Sequence, residues 1–309
     1  MDASRSSIVN SWDSRSAVRS KSRRILDRDT AKRTFFPLAL APCATHPLVT
    51  AKGQEAIDEF LIRRLYLYLD AISVIELEIV NPVLVGLTTG RLGLELPDDM
   101  RLDAYRIYCD EAYHAVSVVD LRLQVEALTQ VRSRPVRRLP FAQSLRLARS
   151  EFPAAMVGYV DLCAAIVSET LISGALSEIP RDVNVNDTVR ASVADHAADE
   201  RVHHAYFARV LEIMWQQVGE RGRAELTRLL GNLVLAFLDP NLAAQASILV
   251  QMGFGVEAAQ QICAESIGRV RYSTEMHRAA RGTLSAMRRV GALDDKRVQD
   301  SLCELGLLL

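Results

Sequence analysis

Glycine and proline are scarce in this chain, fifteen and ten among 309 residues, and aromatic side chains make up only 6%. Both shortages weigh against a β-rich fold, which uses Gly and Pro in turns and aromatic residues in strands. An excess of one charge is lacking too. A formal net charge of −1 offers no cationic surface to a polyanion, so nucleic acid is not expected as a partner. The cysteines Cys43, Cys109, Cys163, Cys263 and Cys303 are odd in number and include no CxxC pair, which fits reduced, mostly buried thiols. The opening residues, MDASRSSIVNSWDSRSAVRSKSRR, hold no apolar run of signal-peptide length, and the most apolar stretch, Leu233 to Phe254, is broken by Asp239-Pro240-Asn241. A cytoplasmic protein with no membrane-spanning segment is the expectation.

What is present is helical. Apolar residues make up 49% of the chain, and Ala, Leu, Arg, Glu and Val dominate. Residues 1–45 read as an arm, partly extended or surface-packed, rich in Ser and Arg with Ile8, Trp12 and Val18 as apolar anchors; 46–309 read as a single domain. The spacing predicts a first helix from Gln54 to Leu87, with Leu65, Leu69, Ile72, Glu76, Ile79 and Val83 on one stripe. A second runs from Pro97-Asp98-Asp99 to Thr129, closed by the basic loop RSRPVRRLP. A third spans Pro153 to Leu176, and a fourth runs from Asn186-Asp187 to Val218. Shorter helices are predicted over Arg221–Leu238, Asn241–Met252, Val256–Ser266, Thr274–Val290 and Asp294–Leu309. The fold class is all-α.

Four helices carry chemistry on their apolar stripes. Residues three and four apart share a helix face, so Glu111 and His114 aim at one point, as do Glu200 and His203, with His196 one turn earlier. The two segments echo each other, Asp110-Glu111-Ala-Tyr-His114 and Asp199-Glu200-Arg-Val-His203. One such copy is weak evidence, since a lone inward histidine is usually a hydrogen-bonded core residue. Two copies on separate helices, joined by Glu76 and Glu169 on two more, match the pattern of carboxylate-bridged di-metal bundles of the ferritin-like type. Glu76 is preferred to Glu78 because the apolar stripe flanks it. Asp110 and Asp199 are each assigned to accept a hydrogen bond from a ligand histidine on the other helix. Four carboxylates and three imidazoles suit two iron ions, with manganese second, better than zinc or calcium. Two ferric ions and four glutamates leave a charge that an oxo or peroxo bridge neutralises.

The order Glu76, Glu111-x-x-His114, Glu169, His196-x-x-x-Glu200-x-x-His203 resembles the para-aminobenzoate N-oxygenase family of ferritin-like non-haem di-iron oxygenases. His196, an added histidine one turn before the last ExxH, is the most informative residue for that resemblance. It implies seven iron ligands, Glu76, Glu111, His114, Glu169, His196, Glu200 and His203. It also implies O2-dependent oxidation of an amine to hydroxylamine, nitroso or nitro product, a place in natural-product biosynthesis and a homodimer. Tyr68, Tyr113 and Phe207 are candidate pocket residues. A cation near a substrate carboxylate is also expected, yet the first helix has no Lys or Arg between Arg64 and Arg91, which leaves aryl, aliphatic and carrier-bound amines open.

Other readings use the same residues. C-hydroxylation or another O2-activating oxidation on this fold is one, and a radical-generating subunit, for which Tyr113 would be the tyrosine, is another. A non-catalytic iron-binding bundle and a purely structural bundle complete the set. No nucleotide-binding glycine fingerprint or cysteine cluster is present, so electrons are expected from an external donor.

Overall fold

Long apolar stripes with few internal breaks fold here into a helical bundle. The computed structural model describes residues 7–9, 11–27, 33–134, 139–171, 174–267, 269–294, 296–304 and 307–308. Helix α1 is Gln54–Thr88, α2 Asp98–Thr129, α3 Pro140–Glu151, α4 Val157–Thr170 and α5 Asp187–Gln217. Five more follow: α6 Glu220–Leu238, α7 Leu242–Gln251, α8 Val256–Ser266, α9 Arg269–Arg289 and α10 Lys296–Glu304. Among the described residues the sole β pairing is an isolated parallel bridge, Thr34 with Val185.

The four metal-stripe helices close a ring: α1 packs on α2, α2 on α5, α5 on α4, and α4 on the last part of α1. Helix α6 covers α4 from outside, α9 crosses α4 and α5, and α10 packs on α6. Buried apolar residues from Val9 to Leu307 form one continuous cluster, so the later helices extend the same core. Phe36, Ala41, Cys43 and Ala44 belong to it, which carries the chain just before α1 into the interior. Part of the first 45 residues and of the basic loop after α2, namely 1–6, 10, 28–32 and 135–138, lies outside the described residues.

Two departures from the expected helices matter. Helix α1 is not uniform: Ile75–Val80 forms a π-helical turn that holds Glu76. Pro82 lies two residues beyond, and having no N–H it cannot bond the carbonyl of Glu78, so the widened turn absorbs the mismatch. The third predicted helix, Pro153 to Leu176, is interrupted: α4 stops at Thr170, and Leu171 turns to extended backbone at ψ 132°. Gly282 of α9 lies so close that a Cβ there would stand 2.6 Å from the Thr170 carbonyl oxygen.

By length and apolar composition alone, Gln54–Thr88, Ala154–Glu178 and Glu220–Gln251 are sufficient to cross a membrane. The first two are more than half buried within the protein and carry Glu76 and Glu169, so bundle packing accounts for their apolarity.

Candidate metal centre

The site is built where the ring of helices crosses at mid-height. Helix α2 starts on Pro97 with Asp98 and Asp99 in its first turn, and the Asn186 side chain caps α5 by accepting from the Thr188 and Val189 amides. These starts set the rotation that turns Glu111 and His114 of α2 toward Glu200 and His203 of α5. Glu76, on the π turn, is 3% exposed, whereas Glu78 is on the surface. Glu169 enters from the last turn of α4 and is also buried.

His114 Nδ1 lies 3.5 Å from Glu111 Oε2, 3.4 Å from Glu200 Oε1 and 3.9 Å from Glu76 Oε2. On the other side, His203 Nδ1 lies 2.7 Å from Glu111 Oε1, 3.5 Å from Glu200 Oε1 and 3.8 Å from Glu169 Oε2. Glu111 thus turns one oxygen to each histidine. His196 Nε2 is 2.9 Å from Glu200 Oε1 and 3.4 Å from Glu76 Oε1, and its ring lies 4.1 Å from that of His114. Two overlapping donor groups result, Glu76–His114–His196–Glu200 and Glu111–His114–Glu200–His203, each with its donor atoms within 4.8 Å of one another. Glu169 belongs to neither group but borders the second through His203.

Fit to metal rests on what these atoms lack. Glu76 Oε2, both oxygens of Glu111, His114 Nδ1, Glu169 Oε2 and His203 Nδ1 are buried and have no hydrogen-bond partner. Buried polar groups are nearly always satisfied, and an uncompensated cluster of them is costly. A convergent, unpaired set of carboxylates and imidazoles fits two oxygen- and nitrogen-liganded transition-metal ions.

The outer nitrogens are engaged reciprocally. His114 Nε2 meets Asp199 Oδ2 at 3.1 Å, and His203 Nε2 meets Asp110 Oδ2 at 3.2 Å, so each helix supplies the aspartate for the other's histidine. Such a contact places the proton on Nε2 and leaves Nδ1 free for metal.

The charges around the histidines set opposing pKa shifts. Burial pulls His114 down, but Asp199, Glu111 and Glu200 outweigh it and hold the imidazolium well above its ordinary range. Burial likewise acts on His203, where the Glu111 charge and the bond to Asp110 prevail and raise it well above. Glu169 is pushed well up by burial and by Glu200 and Glu111. Glu200, despite burial, is held well below by His114, His196 and His203. His196 is lowered by burial and by the neighbouring His114 charge.

The family of P-aminobenzoate N-oxygenase AurF matches residues 5–291. The chain belongs to that family. Among curated proteins none matches it. As a member of the AurF family it is an oxidoreductase of the N-oxygenase type, on an all-helical ferritin-like frame. That family implies a di-iron centre, and the buried His/Glu cluster offers the donors for one.

The site has one open side. His196 and Glu200, with side chains 11% and 15% exposed, are the least buried of the seven. A cavity of about 240 Å³ reaches His114 and His196, with Tyr68 and Tyr113 in its wall and Arg23 and Arg24 at its rim. Phe207 is fully buried and packs edge-on against Tyr206 at 5.4 Å.

The N-terminal arm is the feature that sequence reasoning missed. Trp12 Nε1 donates to Asp110 Oδ1 at 2.8 Å, Ser16 Oγ donates to the same oxygen, and the Ala17 amide points to Asp199 at 3.2 and 3.3 Å. Farther along, Arg23 forks onto Asp120 and Arg24 pairs with Asp195. A tryptophan in a Ser/Arg-rich segment was the available signal. The double variant Trp12→Ala/Ser16→Ala should weaken metal binding by about 10-fold or more, the scale of lost outer hydrogen bonds to metal-ligand networks. Metal titration checks this, and an unchanged affinity would mean that Asp110 holds His203 without help from the arm.

Proposed function

We propose that this protein uses O2 to oxidise the nitrogen of a small amine to the hydroxylamine, nitroso or nitro level, at two iron ions held by Glu76, Glu111, His114, Glu169, His196, Glu200 and His203. The buried, inward-facing Nδ1 atoms of both ExxH histidines carry this reading, because a metal cation satisfies them together with the facing carboxylates. Iron bound there supplies the activation of O2, which protein side chains do not provide. Glu111 and Glu200, each near both histidines, would hold metal beside both. Asp110 and Asp199 hold the histidine rings in register.

His114 and His196 line the cavity through which an amine and O2 would arrive. Tyr68 and Tyr113 shape its wall, and the arm shields it from bulk water. The substrate is a small amine of the aminobenzoate type, free or carried on a larger group, in secondary metabolism. A separate electron donor and a homodimeric assembly complete the proposal.

Metal analysis after anaerobic loading, followed by O2 exposure of the reduced protein with a panel of amines, tests it. Close to two irons per chain and an N-oxidised product are expected. His196→Ala should keep the helical fold and lower N-oxygenation by about 100-fold, above the lower end of outer-shell effects because a direct donor is lost. Full activity in that variant would sever the link between His196 and the reaction. Less than one iron per chain in the unaltered protein would sink the di-iron assignment.

A further inference from the structure

A second and larger cavity, about 380 Å³, also runs along α1. Tyr68, Ala71, Ile72 and Ile75 form its wall along α1, and Phe237 of α6 stacks on Phe141 of α3 at 4.9 Å across from them. Tyr68 and Ile72 also line the cavity that reaches His114 and His196, so the two spaces share a wall at the metal end. The Tyr68 hydroxyl is buried without a hydrogen-bond partner and feels the Glu200 charge.

Three charged side chains line this space. Arg278 is neutralised by Glu178 at 3.2 Å, and Asp239 accepts from the Asn241 amide. Arg64 has neither kind of partner: it makes no ion pair and donates no hydrogen bond among the described residues, and its Nε is buried. Its guanidinium rests 5.3 Å from the centre of the Phe36 ring. The neighbouring Arg63 shows the contrast, being held by Glu59, Gln251 and the Arg132 carbonyl. Burial pulls the Arg64 pKa down to about 10. A cation kept in an apolar cavity without a counter-ion is a costly arrangement that an incoming anion relieves.

We propose that Arg64 anchors the carboxylate of the amine substrate, and that this protein therefore prefers amino acids whose carboxylate lies several bonds farther from the nitrogen than in aminobenzoate. Length decides this. Twelve residues separate Arg64 from Glu76, which at about 1.5 Å per residue places their Cα atoms about 18 Å apart. Helical side chains lean the same way along the axis, so the separation persists at their tips. One benzene ring does not bridge it, while an apolar chain lying along Ala71, Ile72 and Ile75 does. The inference rests on the N-oxygenase reading for the fate of the nitrogen and on Arg64 alone for the carboxylate.

The anion-forming groups that feel the Arg64 charge are the thiols of Cys43 and Cys263, whose sulfurs are 4.0 Å apart. The hydrogen bond with Cys263 lowers Cys43 to about 7, with a smaller contribution from Arg64. Cys43→Ser leaves Arg64 in place and should leave acid binding intact or stronger.

Calorimetric binding of 6-phenylhexanoate, which has no amine to oxidise, separates anchoring from chemistry. The wild-type protein should bind this acid and reject its methyl ester, a comparison that needs no variant. Arg64→Gln should weaken acid binding by about 100-fold, as expected for losing one member of a buried charge pair, and Arg64→Lys should restore part of it. With the iron-loaded enzyme, 6-(4-aminophenyl)hexanoate should exceed para-aminobenzoate in kcat/KM, and Arg64→Gln should act through KM. Equal binding of acid and ester, weaker acid binding in Cys43→Ser, or indifference to Arg64 would overturn the anchor. Arg64-dependent binding without N-oxidation of any amine would leave the anchor standing and remove the N-oxygenase reading instead.

Discussion

Glu111→Ala will empty the metal centre. Glu111 is fully buried and is the carboxylate that turns a separate oxygen to each ExxH histidine, at 3.5 Å from His114 and 2.7 Å from His203. Removing it takes away the oxygens that face both ExxH histidines at once, whereas Glu76 faces His114 and His196 and Glu169 faces His203. Iron should fall from near two to below one per chain, with affinity lower by more than the roughly 100-fold upper end seen for outer-shell losses, and N-oxygenation should fall below detection. Metal analysis and far-UV circular dichroism measured together separate this outcome from unfolding. Two tightly held irons in a folded Glu111→Ala protein would show that Glu111 is not needed to hold them.

Metal loading should also depend steeply on pH. The metal-free protein holds protons on His114 and His203, raised well above 6.5, and on Glu169, raised well above 4.5. Ligation requires all three to lose them. Affinity should therefore increase with pH across the neutral range, by about tenfold per pH unit for each proton released. Stability of the metal-free fold runs the other way. The contribution of His114 and His203 is fully present below about 6.5 and is lost as pH rises through their folded values. Ionising Glu169 in the buried cluster adds to that loss, because the unfolded chain gives up this proton at lower pH. On the acid side, Glu111 and Glu200, both held low, contribute stability above about 4.5 that disappears as pH falls through their folded values. Calorimetry of iron(II) binding in buffers of different ionisation heat reads the proton count directly. A pH-independent affinity with no proton release would contradict the assigned protonation.

Much of this was legible because helical spacing is a strong signal. Residues three and four apart must share a face, so Glu111 with His114 and His196 with Glu200 and His203 were placed on common stripes by arithmetic alone. The apolar flank of Glu76 separated it from Glu78, which the structure leaves on the surface. Locally silent features were harder to read. The π turn at Ile75–Val80 is foreshadowed only by Pro82, whose missing N–H acts on the turn before it. Helix α3, Pro140–Glu151, goes unassigned between a basic loop and Pro153. The stop at Thr170 has no breaker nearby in sequence; it coincides with the close approach of Gly282, more than a hundred residues later. Contacts of that range leave no trace in a local window, and the bonds of Trp12 and Ser16 to Asp110 are another case.

That strap has a consequence for the order in which the protein is assembled. Trp12 and Ser16 are translated before α2, which carries their acceptor, and the Ala17 amide must wait for Asp199 on α5. His203, which Asp110 orients, is translated later still. The arm therefore docks late, and the centre's outer hydrogen bonds close only after α5 has been made.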